Sequence, residues 1–164
     1  MLAVKFHHLG ALIHRPFLCL PVLQMNNQPF MNLLILDKER ISEAESNCIH
    51  EAQQTARLLH NLVDERSLVH DFPWWQMISC LICASSILFV AESFHNNNST
   101  FGDRSSAQSF REDAETCLKV FEALSTNSAA AQKAANMLES LTRIRRKTEE
   151  GGICLALFLP VLLK

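Results

Sequence analysis

The chain has 164 residues, 48% of them hydrophobic and 20% charged, with a formal net charge of -2. That length suits one domain with a real core, and that composition excludes wholesale disorder. The near-neutral balance also excludes an overall field that would draw in DNA or an anionic membrane, so partners must be argued from local features.

Residues 2–14 are mostly apolar, with Leu9, Leu12 and Ile13 among them, and predict the end of a helix that Pro16 terminates. Residues 16–37 are apolar but irregular, broken by Pro21, Pro29 and Asn26-Asn27. They predict a long loop packed on the core, with a helical turn near 31–36. The next helix has a capping box in Ser42 and Glu45, each side chain satisfying an otherwise unpaired amide. Ile41, Ala44, Cys48, Ala52, Thr55, Leu59 and Leu62 follow at alternating steps of three and four, which makes one buried stripe.

Asp71 as a cap and Pro73 in the first turn start a third helix, and residues 73–91 carry no charge. Two readings compete for this run. Its length and the Trp74-Trp75 pair at one end suit a membrane span. Gln76, Ser79, Ser85 and Ser86 dilute it, however, and the amphipathic neighbours need an apolar partner, which favours a central buried helix.

Residues 93–108, with Asn96-Asn97-Asn98 and Gly102, predict a polar surface loop. Ser109 with Glu112 predicts a second capping box, followed by an apolar face of Phe110, Ala114, Cys117, Leu118, Phe121 and Leu124. Asn127-Ser128 breaks that helix and caps the last, whose face carries Ala131, Ala134, Leu138, Leu141 and Ile144. Arg143, Arg145, Arg146 and Lys147 complement the helix dipole, and Gly151-Gly152 stops the helix. Residues 148–164 form a tail whose apolar part, 153–163, is too short to span a bilayer.

Chemistry-bearing residues are scattered. Of the six cysteines only Cys80 and Cys83 are close, and no second ligand pair completes a zinc site, so they read as small buried hydrophobes in a reducing compartment. His7 and His14 share a helix face without further ligands. Cys48 is on a different face from His50 and out of reach of His60, which gives no thiol-imidazole pair. There is no phosphate loop, nucleophile elbow or His-Glu-x-x-His motif, and the reading is not an enzyme. Trp74 and Trp75 cannot share one helix face; either both pack in the core, or one packs inward while the other meets an effector or partner.

Taken in order, His14-Arg15-Pro16-Phe17-Leu18, the Cys48-to-Ala52 helix with Arg57-Leu58-Leu59, and Pro73-Trp74-Trp75 before an uncharged helix carry a resemblance. The chain resembles the C-terminal part of the regulatory domain of fungal zinc-cluster transcription factors, the middle homology region. The resemblance spans residues 1–147. It implies an all-α bundle of roughly five helices, a nuclear location, and modulation of transcription through a small-molecule effector or other proteins. The family's zinc cluster, linker and coiled coil have no counterpart here, so DNA contact and zinc are expected of no residue in this chain, and no cofactor is expected. No membrane partner is expected either.

Two alternatives stay open: a helical protein-interaction module unrelated to transcription, and a membrane-associated helical protein. If helices upstream are missing, apolar surface should remain uncovered and promote self-association. Leu2, Leu9, Leu12 and residues 17–36 are then the candidates to shield it.

Overall fold

A computed structural model describes the backbone of residues 2–18, 38–61, 74–98, 104–126 and 128–151. Side chains are described for the same residues except 74, 94–98, 104–107 and 144–151. The described residues form five helices: α1 Leu2–Leu18, α2 Lys38–His60, α3 Trp74–Asn98, α4 Arg104–Ser125 and α5 Ala129–Gly151. The fold is all-α, as the periodicities predict. The expected loop at 19–37, Asp71 and Pro73, Asn127 and the tail from 152 onward lie outside the described residues.

Helix ends are where structure and sequence part. Pro16 lies inside α1, which runs on to Leu18. A proline this near a C-terminus forfeits only its own backbone bond, and burial of Leu18 in the core favours two further helical residues. Neither Ser42 nor Ser109 caps a helix, because α2 begins at Lys38 and α4 at Arg104. Lys38, Glu39 and Arg40 are good helix formers, and nothing stops the helix from running back one more turn. Residues 93–98 belong to α3 rather than to a loop, and the buried Ser93 hydroxyl donates to the Phe89 carbonyl at 2.8 Å within that helix. At the 126–128 break Ser128 does cap α5: its Oγ accepts the Ala131 amide at 3.3 Å.

α1 and α2 are antiparallel. His7 Nδ1 donates to Glu51 Oε2 at 2.6 Å, and one turn further along α1 the Ala11 carbonyl accepts the Cys48 thiol at 3.5 Å. Gly10 permits this approach, since a Cβ there would stand 3.1 Å from the Glu51 side chain. On α2, Cys48, Ala52 and Ala56 are fully buried at successive turns, and these small side chains let neighbouring backbones come close. The short gaps before and after α4 fold α3, α4 and α5 back on one another.

α3 lies at the centre and packs on all four other helices, extensively on α4 and only lightly on α5. Met77, Leu81, Ile87 and Leu88 are fully buried, while Trp75, Ser79 and Ile82 line its outward stripe. The segment Trp75–Ser93 is long and apolar enough to cross a membrane, and 72% of it is buried inside the bundle. Its apolar character is therefore used by its own neighbours.

α1 corrects one expectation. Its inner face buries Val4, Ala11 and Leu18, and its outer face leaves Leu2 at 84%, Phe6 at 69% and Ile13 at 59% exposure. Leu2, Leu9 and Leu12 do not shield an apolar surface; they are part of one.

Candidate functional site

Two clefts lie beside α5, separated by a wall of Ser85, Phe89 and Leu138 that both share. One, of about 410 Å³, opens between α3, α4 and α5. The other, of about 390 Å³, opens between α1, α3 and α5. Both sizes fall within the ordinary range for small-molecule sites. Their position follows from the light packing of α5 on α3, where Leu138 is the large buried side chain among those described on α5.

The first cleft is ionic. Glu92, 1% exposed, accepts a hydrogen bond from Arg111 Nε at 2.8 Å. Glu115, Glu139 and Arg143 also line it, above an apolar floor of Phe89, Leu118 and Leu138. A carboxylate this deep needs its cation close by, and Arg111 reaches it from α4 with its own side chain 37% exposed. The pair ties the α3–α4 hairpin together.

A second charged cluster joins α2 to α4. Asp113, itself buried, accepts Arg57 Nε at 3.0 Å, Arg57 Nη2 at 2.8 Å and Gln53 Nε2 at 2.6 Å. Ser109 takes a further bond from Gln53 at 3.3 Å, a role its sequence position as a cap does not suggest. The bond to Asp113 raises the Arg57 pKa, with burial opposing and the carboxylate charge adding to it.

The second cleft has a different chemistry. Leu12, Ile82 and Met137, from three different helices, meet there while still partly exposed to water. Cys83, Phe89 and Leu138 lie deeper. Arg15, His8 and three serines bring the polar character, and no carboxylate is among the described lining residues. The Ser85 and Ser86 hydroxyls donate to the carbonyls of Ile82 (3.1 Å) and Cys83 (2.8 Å). Burial lowers the His8 pKa, which keeps the imidazole neutral at pH 7.

Other residues singled out from sequence are dispersed. Trp75 is 58% exposed and lines neither cleft, and the Trp74 side chain lies outside the described residues. Cys48, Cys80, Cys83 and Cys117 are buried thiols, while Cys19 and Cys154 lie outside the described residues. Burial pushes the Cys80, Cys83 and Cys117 thiols up, the last to about 12. His50 and His60 are exposed, and the Cys48 thiol is directed to a backbone carbonyl rather than to an imidazole. His7 pairs with Glu51, while His14 Nδ1 is buried without a hydrogen-bond partner among the described residues. Among those residues no group of three or more His, Cys, Asp or Glu gathers in a way that could hold a metal ion. Arg143 is exposed, and the side chains of Arg145, Arg146 and Lys147 lie outside the described residues.

Sequence reasoning missed Glu92, Arg111 and Asp113. A usable signal existed for two of them. Glu92 is the first charge after an uncharged run, and Asp113 falls on the apolar stripe between Phe110 and Cys117.

No protein-family model, no curated protein and no solved structure matches this chain.

Proposed function

We propose that this chain is a regulatory helical module of the kind found in fungal zinc-cluster transcription factors, acting without itself contacting DNA. The observation that carries the reading is α5, lightly packed on α3 with a cleft on either side. For a helix with a second position, an occupant of either cleft would favour one position by its differential affinity. The ordered motifs at 14–18, 48–59 and 73–75 supply the link to transcription, a nuclear location and an effector or protein partner.

The test is a reporter experiment. The chain is placed between a heterologous DNA-binding domain and an activation domain, and output is compared with that of an inert linker. Output should differ from the linker control, and Met137→Trp, which fills the second cleft from its lip, should shift it at unchanged protein level. Equal output from chain, variant and linker would overturn the reading.

One observation favours a second reading, a protein-interaction module. The outer face of α1 presents Leu2, Phe6, Leu9 and Ile13 at helical spacing, a face suited to packing on another protein or on a second copy. A substitution of Phe6 and Ile13 by Lys that abolishes self-association, with reporter output unchanged, would favour this second reading.

A further inference from the structure

We propose that the ionic cleft between α3, α4 and α5 binds a free amino acid with an apolar side chain. Its ammonium is held between Glu115 and Glu139, its carboxylate by Arg143, and its side chain lies on Phe89, Leu118 and Leu138. The assignment names the effector class for the regulatory reading and rests on that reading for its consequence, although the binding stands on the cleft alone.

Three features select this class. The first is the presence of both signs of charge at the rim. Glu115, Glu139 and Arg143 line the cleft and are exposed, and no ion pair engages any of them among the described residues. Glu139 and Arg143 lie one turn apart on one face of α5, while Glu115 comes from α4. A cation alone would meet Arg143 there, and an anion alone would meet the two glutamates. A zwitterion gives each charge an opposite partner.

The second feature is depth. Phe89 and Leu138 are buried and Leu118 is half-buried, so polarity falls from the rim to the floor. An apolar amino acid has the same arrangement, charged at one end and hydrocarbon at the other. Covering that floor removes its remaining apolar surface from water, a gain that a ligand without a side chain does not make. A volume of about 410 Å³ is within the range of small-molecule sites and holds a side chain as large as that of phenylalanine.

The third feature is that the other polar groups of the cleft are already engaged. Glu92 accepts the bond from Arg111 Nε, and the Thr142 hydroxyl donates to the Leu138 carbonyl at 2.9 Å. The ligand's head is therefore left to the three rim charges. The Glu92–Arg111 bond also fixes α3 to α4 before any ligand arrives, which lowers the ordering cost of binding. Across the Phe89 wall no carboxylate is among the described lining residues, so an ammonium has no seat there.

The experiment uses the full 164-residue chain at pH 7 and four probes: L-phenylalanine, phenethylamine, hydrocinnamate and glycine. The second lacks the carboxylate, the third lacks the ammonium, and the last lacks the apolar body. Calorimetric titration should give saturable one-site binding of L-phenylalanine, with each of the others at least about tenfold weaker. Arg143→Gln should weaken L-phenylalanine about fivefold and leave phenethylamine no weaker than before. Glu139→Gln should also weaken L-phenylalanine about fivefold and leave hydrocinnamate no weaker. Both substitutions fall on exposed side chains and leave the core untouched. Met137→Ala, in the neighbouring cleft, should change none of these affinities.

Phenethylamine, hydrocinnamate or glycine bound as tightly as L-phenylalanine would overturn the site. So would L-phenylalanine affinity indifferent to either Arg143→Gln or Glu139→Gln, or no binding at millimolar concentration. Binding as described, with reporter output identical for the chain and its Arg143→Gln variant, would instead overturn the regulatory reading and leave the site standing.

Discussion

The two clefts share a wall and differ in how they are held. On the α3–α4 side a buried carboxylate and its arginine cross between helices, so that side is closed by a directional contact that few substitutions tolerate. On the α1–α3 side the described lining is mostly apolar, with Leu12, Ile82, Phe89, Met137, Leu138 and Leu141 in it. Apolar walls can repack around a ligand at little cost, whereas an ion pair out of water cannot lose a partner cheaply. Rigidity thus lies on one side of α5 and adaptability on the other.

The largest effect should come from the wall itself. Phe89→Ala deletes a buried ring common to both clefts and should cost about 3–5 kcal/mol, read by urea denaturation. A loss below about 1 kcal/mol would mean that the two clefts do not depend on a common wall. Next comes Arg111→Met, which takes the cation from beside Glu92 and should cost about 3 kcal/mol. Adding Glu92→Gln to it should recover part of that loss, since the buried charge is then gone too. If the double variant is no better than the single, the ion pair is not what holds the ionic side.

Alkaline pH should act gradually rather than in one step, and within a single pH unit it costs less than either substitution. The Cys117 thiol, pushed by burial from its ordinary 9.0 to about 12, favours the neutral form in the folded chain. Its contribution is complete below pH 9 and is lost as pH rises toward 12, at about 1.4 kcal/mol per pH unit. Cys117→Ala should flatten that part of the stability-pH curve, and an unchanged slope would assign it to other groups. The smallest effect belongs to the adaptable side, where Met137→Ala trims a half-exposed side chain and should cost under about 1 kcal/mol. A cost as large as that of Arg111→Met would erase the difference between the two sides.

Much of the bundle was legible in the sequence, and the reasons are specific. Ala44, Cys48, Ala52 and Leu59 keep helical period and are buried, and the absence of charge before Glu92 marks the helix with most neighbours. Helix ends were less legible, because Ser42 and Ser109 match a capping pattern that extension by good helix formers overrides. The clefts were not legible at all. Leu138, Phe89 and Arg15 each look like ordinary bundle residues, and only the tertiary gap beside α5 gives them a common address. The ion pairs fall between these cases: a charge on an apolar stripe announces that a partner exists, but Arg57 and Asp113 lie 56 residues apart and nothing local joins them.

The buried cysteines have a use in the laboratory that follows from where they sit. Cys48 marks α2, Cys80 and Cys83 mark α3, and Cys117 marks α4, each protected from solvent while its helix stays seated. A thiol-specific reagent added to the native chain therefore modifies each sulfur only as fast as its surroundings open. Cys83 borders the adaptable cleft and should react first, well before Cys117 and Cys48, which are wholly enclosed. Mass spectrometry of partially labelled chains would then give a time-ordered map of which parts of the bundle loosen, taken from sulfur atoms the protein already carries.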